Sequence, residues 1–419
     1  MPNSHQQRPI ALALAGGGPL GAMYEVGALV ALADVLEGVD FNDFKMYIGV
    51  SAGSVISAAL ANDISPETIC HMFLGDTTGE AVVKPEVFMT PAIAEFRKRL
   101  FSLPRLLTES VFDFMRNPFG RDFFASFYRL SKAIPTGVFS IEGLRSFIHR
   151  MLSVEGRTDD FRKLKNTLYI VATDLDSGDS VVFGSDKRDH VPISKAVAAS
   201  AALPGLYPPV QIGGRYYVDG ALKKTMHASI ALKEGAKLVI CINPLVPFDA
   251  TLAARHGHRT EHPLVDEGLA VVLSQTFRAI IHSRMLSGLA RYDIEYPDSD
   301  VVLFEPSSDD ADMFFTNIFS YTHRRHLVDH AYCKTREDLL NRYDTLAPLF
   351  ARHGVKLNRR RLEDRQRTLD VVVPDLSPHR FRSGRTMADT VANLNDTLDR
   401  LNKSMHRIDL RPPTQRAPE

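Results

Sequence analysis

Gly49-Val50-Ser51-Ala52-Gly53 follows the apolar run Phe44-Lys45-Met46-Tyr47-Ile48 and leads into the small-residue stretch Ser54-Val55-Ile56-Ser57-Ala58-Ala59-Leu60. A strand, a turn centred on serine and a helix of small residues together read as a nucleophile elbow. The sharp strand-to-helix turn pushes the serine hydroxyl out of the sheet. Gly49 and Gly53 flank it because a side chain at either place would collide with the neighbouring strand and helix. The amides at the start of the following helix point back at the hydroxyl, where they stabilise the negative charge that develops in acyl transfer. The five-residue pattern is common by itself, and its position between a strand and a helix gives it weight.

Working outward, Ile10 to Ala15 reads as a buried strand, Gly16-Gly17-Gly18-Pro19-Leu20-Gly21 as a turn and Ala22 to Leu36 as a helix. Glycines spaced this way between a strand and a helix fit a dinucleotide-binding loop. They fit equally an oxyanion loop, because clustered amides at a helix N-terminus stabilise either anion. A dinucleotide site needs an acid at the end of the second strand for the ribose. That strand ends in Val50-Ser51, while Asp34, Asp40 and Asp43 all precede it. The oxyanion reading is therefore preferred. Downstream, Thr167 to Asp174 and Ser180 to Phe183 read as a strand pair around Ser177-Gly178, and Ile193 to Leu203 as a small-residue helix. Arg215 to Val218 and Lys237 to Ile242 read as further strands. Strands alternating with helices predict an α/β sheet.

At 419 residues and 44% hydrophobic content the chain can bury a sizeable core. Its 50 Lys and Arg balance its 50 Asp and Glu, so no global field recruits nucleic acid, and nucleic acid is not expected as a partner. The three cysteines, Cys70, Cys241 and Cys333, are far apart. They form neither a disulfide framework nor a CxxC metal site, so no metal is expected and a reducing compartment fits. Met1 to Pro9 is polar, and no uninterrupted apolar stretch of about 18 residues is present. The expectation is a cytoplasmic protein, peripheral to a membrane if it meets one.

A serine hydroxyl is a weak nucleophile until a base takes its proton, and histidine is the usual base. In an α/β-hydrolase, however, the serine follows several strands, whereas Ser51 follows about two. Tyr217-Val218-Asp219-Gly220-Ala221 instead places a carboxylate at a strand end before a tight turn, although Asp-Gly is also simply a frequent turn. The glycine-rich loop, the early serine elbow and Asp219-Gly220-Ala221 stand in the order and approximate spacing of the patatin-like phospholipases. Val171-Ala172-Thr173-Asp174-Leu175-Asp176-Ser177-Gly178 and the run Ala199 to Val210 resemble further blocks of that family. The resemblance spans roughly residues 8 to 245, extending to about 340.

The resemblance implies a three-layer α/β/α sandwich and a Ser-Asp dyad in place of a triad. Ser51 would attack an ester carbonyl, Asp219 would act as base and then activate the deacylating water, and Gly16, Gly17 and Gly18 would give amides to the oxyanion. It implies no cofactor. His227, eight residues after Asp219, is the candidate for a third member, against the plainer reading of a structural histidine on a helix. One departure stands out. Many members of the family carry a basic residue before the last glycine of the first loop, where this chain has Leu20. That leaves neutral acylglycerols open as substrates beside phospholipids.

Between residues 87 and 151, phenylalanines including Phe88, Phe123, Phe124 and Phe147 interleave with Arg97, Arg105, Arg116 and Arg121. They read as an amphipathic helical insertion for a lipid interface or, equally, as core and acyl-tunnel lining. The expected organisation is a catalytic domain over 8–345 followed by a basic, helical extension over 346–419. In the extension, arginines are read as solvated surface and Val371-Val372-Val373 as the remaining strand pattern. A heptad helix over 386–408 could support a homo-oligomer, and its end is expected to be disordered. The function read from all this is a lipid acyl hydrolase. Its alternatives are an acylglycerol lipase, a full-triad carboxylesterase and a catalytically weak scaffolding protein.

Overall fold

The computed structural model describes residues 9–74, 83, 90–93, 95, 97, 135–257, 263–315, 321–374 and 376. Its strands are β1 (Ile10–Leu14), β2 (Leu36–Glu37), β3 (Met46–Val50), β4 (Thr167–Asp174), β5 (Ser180–Phe183), β6 (Val210–Ile212), β7 (Arg215–Asp219), β8 (Leu238–Ile242), β9 (Asp300–Phe304) and β10 (Lys356–Leu357). One sheet runs in the order β6-β7-β4-β3-β1-β8-β9, with β5 also paired to β4. From β4 through β3, β1 and β8 to β9 every pairing is parallel, while β5, β6 and β7 make an antiparallel flank. The parallel centre explains the unbroken apolar runs read from the sequence. Strands β3 and β8 are buried at every residue, as strands covered on both faces must be.

The helices that frame the site are α1 (Gly18–Val35), α2 (Ala52–Leu60), α3 (Pro66–Leu74), α4 (Glu142–Leu152), α5 (Ile193–Ser200), α6 (Ala228–Lys233), α7 (Leu269–Glu295) and α8 (Tyr321–Asn341). On one face of the sheet, Ala11, Ala13, Met46, Ile48, Val239 and Cys241 pack with Ala228, Ala231 and Leu232 of α6 and with Met285 and Tyr292 of α7. Across the other face α2 lies on β1, β3 and β4, beside α1 and α5. The result is a three-layer α/β/α arrangement. Helix α1, mostly apolar and buried along nearly its whole length, is pressed against α8, where a Cβ on Gly27 would sit 2.3 Å from the Val328 carbonyl oxygen. By length and composition α1 could cross a membrane, but 78% of it is buried inside the protein, which makes it a core helix.

Two local expectations are corrected. Helix α1 begins at Gly18, inside the stretch read as a turn, because Pro19 at its start lacks only an N–H that would have no partner there and brings a helical φ already set. Val371-Val372-Val373 is no strand, since Leu369–Val372 is a helical turn that buries Leu369 and Val373, four residues apart.

Residues up to Pro374 belong to one compact unit. Strand β10 pairs antiparallel with β2, and the Asn358 amide donates to Val35 O. Arg361 and Arg367, expected as solvated surface, tie down the end of α1 instead. Arg361 Nη1 donates to Asp34 O at 2.6 Å, and Arg367 Nε donates to the Asp34 carboxylate at 2.7 and 2.8 Å. Cations that bond the last carbonyls of a helix complement its dipole. Of the expected insertion, α4 buries Leu144, Phe147, Ile148 and Met151 against α5 and so belongs to the core. Residues 98–134, with Phe123 and Phe124, and the heptad helix at 386–408 lie outside the described residues.

Candidate active site

Strand β4 acts as a ruler for the site. Ile170 and Val171 pair β3 and β5 at once, while Ala172 and Thr173 pair β7 and β5. A strand has two edges, so β3 and β7 succeed one another along the same edge of β4. Strand β3 arrives parallel and ends with Val50 opposite Val171; β7 arrives antiparallel and ends with Asp219 opposite Ala172. Ser51 is the first residue beyond β3 and therefore faces Asp219 head-on. Its Oγ donates to Asp219 Oδ2 at 2.6 Å, although the two residues are 168 positions apart in sequence.

Ser51 stands at φ 50 and ψ −120, a left-handed conformation rare for a residue with a side chain. Such strain costs on the order of 1–3 kcal/mol and persists only where the surroundings impose it. The surroundings are specific. The Ser51 amide donates to Ser200 Oγ at 2.8 Å, the Ser200 hydroxyl donates to Val171 O at 2.6 Å, and Ser54 Oγ donates to Ser51 O at 2.5 Å. The flanking glycines permit the turn. A Cβ on Gly49 would lie 2.5 Å from Ser54 Cα, and one on Gly53 would lie 2.6 Å from Ala15 O of the neighbouring strand.

Asp219 is 3% exposed, and its Oδ1 accepts the Ala221 amide at 2.8 Å. Burial raises its pKa to about 6, against the lowering effect of the hydrogen bonds from Ser51 and Ala221. A carboxylate with that pKa is ionised at neutral pH yet basic enough to share a serine proton.

Gly17 and Gly18 are the N-cap and first residue of α1, where amides have no partner within the helix, and both line the cavity that contains Ser51 and Asp219. Gly18 has φ +61, and a Cβ on Gly17 would lie 2.5 Å from Pro244 Cγ. Gly16, read as the third amide donor, directly precedes them in the turn. Its missing side chain leaves room between Ser51 and Ala221, since a Cβ there would be 3.1 and 2.9 Å from their Cβ atoms.

The cavity measures about 560 Å3 and has apolar walls, among them Val55, Phe73, Phe147, Leu206, Leu273 and Phe277. Ser51 and Asp219 lie together in it; Ser274 and Arg278 add polar groups from α7. His227 is elsewhere. It is 6% exposed at the start of α6, does not line the cavity, and its Nε2 has no hydrogen-bond partner among the described residues. Burial and the nearby Lys224 charge push its pKa down to about 3, so it is a neutral, enclosed histidine. The proton of Ser51 is directed to Asp219 and not to His227.

Sequence reasoning gave Ser200 no role, although it lies within the run Ala199 to Val210. It missed α7 altogether, because no motif marks that helix.

The sheet, the glycine turn and the serine-aspartate contact at one rim define an α/β protein of patatin type. The chain belongs to the patatin-like phospholipase family, whose model matches residues 12–232, more than half of the 419 residues. An uncharacterised protein of Acanthamoeba polyphaga mimivirus is 26% identical over 223 residues, which is 53% of this chain and 60% of that protein. The chain thus spans about 60% of the length of this relative. Among solved structures, VipD from Legionella pneumophila superposes with a TM-score of 0.37 at 15% identity, covering 79% of this chain and 66% of VipD. The type III effector ExoU of Pseudomonas aeruginosa gives 0.33 at 15% identity, covering 78% of this chain and 52% of ExoU.

Proposed function

We propose that the protein is a lipid acyl hydrolase that works through an acyl-enzyme on Ser51, with Asp219 as its only protein base. The observation that carries this reading is the 2.6 Å hydrogen bond from Ser51 Oγ to a buried carboxylate, opening into an apolar cavity. As Oγ attacks the acyl carbonyl, its proton passes to Asp219 Oδ2. The carbonyl oxygen becomes an oxyanion and takes hydrogen bonds from the Gly17 and Gly18 amides, donors already oriented by α1. Collapse expels the alcohol, which takes the proton from Asp219. A water then gives its proton to Asp219 and attacks the ester on Ser51, releasing the fatty acid and restoring the serine.

The substrate enters from a lipid interface. Leu269 (74% exposed), Val272, Leu273, Phe277 and Ile280 are exposed apolar side chains on one face of α7, and Leu273 and Phe277 also line the cavity. An exposed apolar strip continuous with an apolar active-site cavity suits a peripheral protein that draws acyl chains from a bilayer.

Fatty-acid release from mixed phospholipid and acylglycerol vesicles tests the reading, with wild type, Ser51→Ala, Asp219→Asn and His227→Ala compared. Release lost in the first two variants and kept in the third supports it. No release by folded wild type from any vesicle would turn the reading to a scaffolding protein, and loss with His227→Ala in a folded protein would turn it to a triad esterase.

A further inference from the structure

The cavity contains a cation that the catalytic reading leaves unused. Arg278 projects from α7 on the face that also carries Ser274, Phe277 and Ile281 into the cavity. Its Nη1 donates to Val246 O at 3.1 Å, and the guanidinium lies 4.9 Å from the Phe314 ring centroid. Its Nε is buried with no hydrogen-bond partner, and no carboxylate pairs with it among the described residues. Burial lowers its pKa only to about 10, so it remains a cation at neutral pH. A guanidinium half-enclosed in an apolar cavity, with a buried Nε left unbonded and no carboxylate beside it among the described residues, is placed to take a counter-ion that arrives with a ligand.

The place of the cation is also defined. Pro244 packs on Gly17 and Gly21 of the glycine turn, and Val246, the acceptor of Arg278, comes two residues later, at most about 7 Å along the chain. Arg278 is thereby held on the oxyanion side of the cavity. That turn itself carries Leu20 and no basic residue.

We infer that Arg278 is the anion-recognition residue of this cavity, selecting acyl esters that carry a phosphodiester next to the reacting ester over neutral acylglycerols. The inference rests on the lipid-hydrolase reading and deepens it: the substrates are glycerophospholipids or lysophospholipids. The phosphate supplies the missing counter-charge, and a guanidinium fork binds phosphate oxygens by charge-assisted hydrogen bonds.

The test compares 1-palmitoyl-lysophosphatidylcholine with 1-monopalmitoylglycerol, which share acyl chain and ester and differ by the phosphocholine. Both are presented at one mole fraction in neutral detergent micelles to the full-length wild type, Arg278→Met and Arg278→Lys, after thermal unfolding has shown each to be folded. The expected result is a wild-type preference for the lysophospholipid. Arg278→Met lowers the ratio of kcat/KM values by about tenfold or more, chiefly through KM, as loss of a charge-assisted bond implies. Arg278→Lys restores much of that ratio. An equal fall for both substrates, or an unchanged ratio, overturns the inference and leaves Arg278 as a strut between Val246 and Phe314.

Should wild type cleave neither lipid, the hydrolase reading fails separately. Equilibrium binding of the same two lipids to Ser51→Ala, with and without Arg278→Met, then decides the Arg278 question. Selective loss of lysophospholipid binding supports it, and equal binding overturns it.

Discussion

The two walls of the cavity are built on opposite principles. One is the sheet rim: Ser51, Asp219, Gly17 and Gly18 are fixed by strand ends, by a shared ruler in β4 and by hydrogen bonds from buried groups such as Ser200. The other is α7, a helix whose outer face exposes Leu269, Val272 and Ile280 and whose cavity side supplies Phe277 and Arg278. Strand ends and buried hydrogen bonds place the groups at the rim in the fixed positions that acyl transfer requires. The helical wall places shape, greasiness and one charge, which is what discrimination among lipids requires. On the proposed reading, chemistry and choice of substrate occupy separate parts of the molecule and should respond to different substitutions.

Ser51→Ala should have the largest effect, lowering fatty-acid release by at least about 10^4-fold without loss of fold, because the acyl acceptor itself is removed. Asp219→Asn comes second, with a fall on the order of 10^3-fold in kcat. The same variant should be more stable at neutral pH. Asp219 has its folded-state pKa raised to about 6. As pH rises from about 4 the unfolded chain releases this proton before the native one, so stability declines until about pH 6 and the deficit persists above it. Asparagine removes that deficit, a gain on the order of 1–3 kcal/mol in denaturant unfolding at pH 7 that disappears below about pH 4. A variant both inactive and less stable at pH 7 would show that the carboxylate has a structural role.

Gly16→Ala comes next. The added methyl meets Ser51 Cβ at 3.1 Å and Ala221 Cβ at 2.9 Å, so it must spread the site. A fall of about 10- to 100-fold in kcat is expected, since small displacements of reacting groups carry penalties of that size. On the other wall, the double variant Leu269→Ser and Ile280→Ser should weaken vesicle sedimentation several-fold while hydrolysis of a soluble short-chain ester stays near wild type. Equal loss of both would merge the two walls into one functional unit. His227→Ala should have the smallest catalytic effect, within about threefold, together with a stability loss of about 1–3 kcal/mol from the cavity it leaves.

Legibility in the sequence divides along the same line. The elbow, the glycine turn and Asp219-Gly220-Ala221 could be read because each is a local backbone necessity written in residue type: Gly49 and Gly53 stand where no Cβ fits. The contact between Ser51 and Asp219 was less accessible. It depends on two strands sharing one edge of β4, and only the resemblance to a family joined the two motifs in advance. Helix α7 was not read at all. Its apolar residues face solvent on one side and the cavity on the other, so no single stripe marks a core-facing side. Arg278 stands in no motif, and only the fold brings it to the cavity. The arginines at 361 and 367 misled for a related reason: composition gives charge but not the Asp34 partner more than 300 residues earlier.

The most direct measurement is covalent trapping. Wild type is treated with a long-chain alkyl fluorophosphonate, and the adduct is located by intact mass and peptide mapping across a pH series. The expected result is one adduct per chain, on Ser51, with a labelling rate that rises with pH through about 6 as Asp219 ionises and that collapses in Asp219→Asn. Labelling at another residue, or labelling of Ser51 that is unaffected by Asp219→Asn, would contradict the serine-aspartate site.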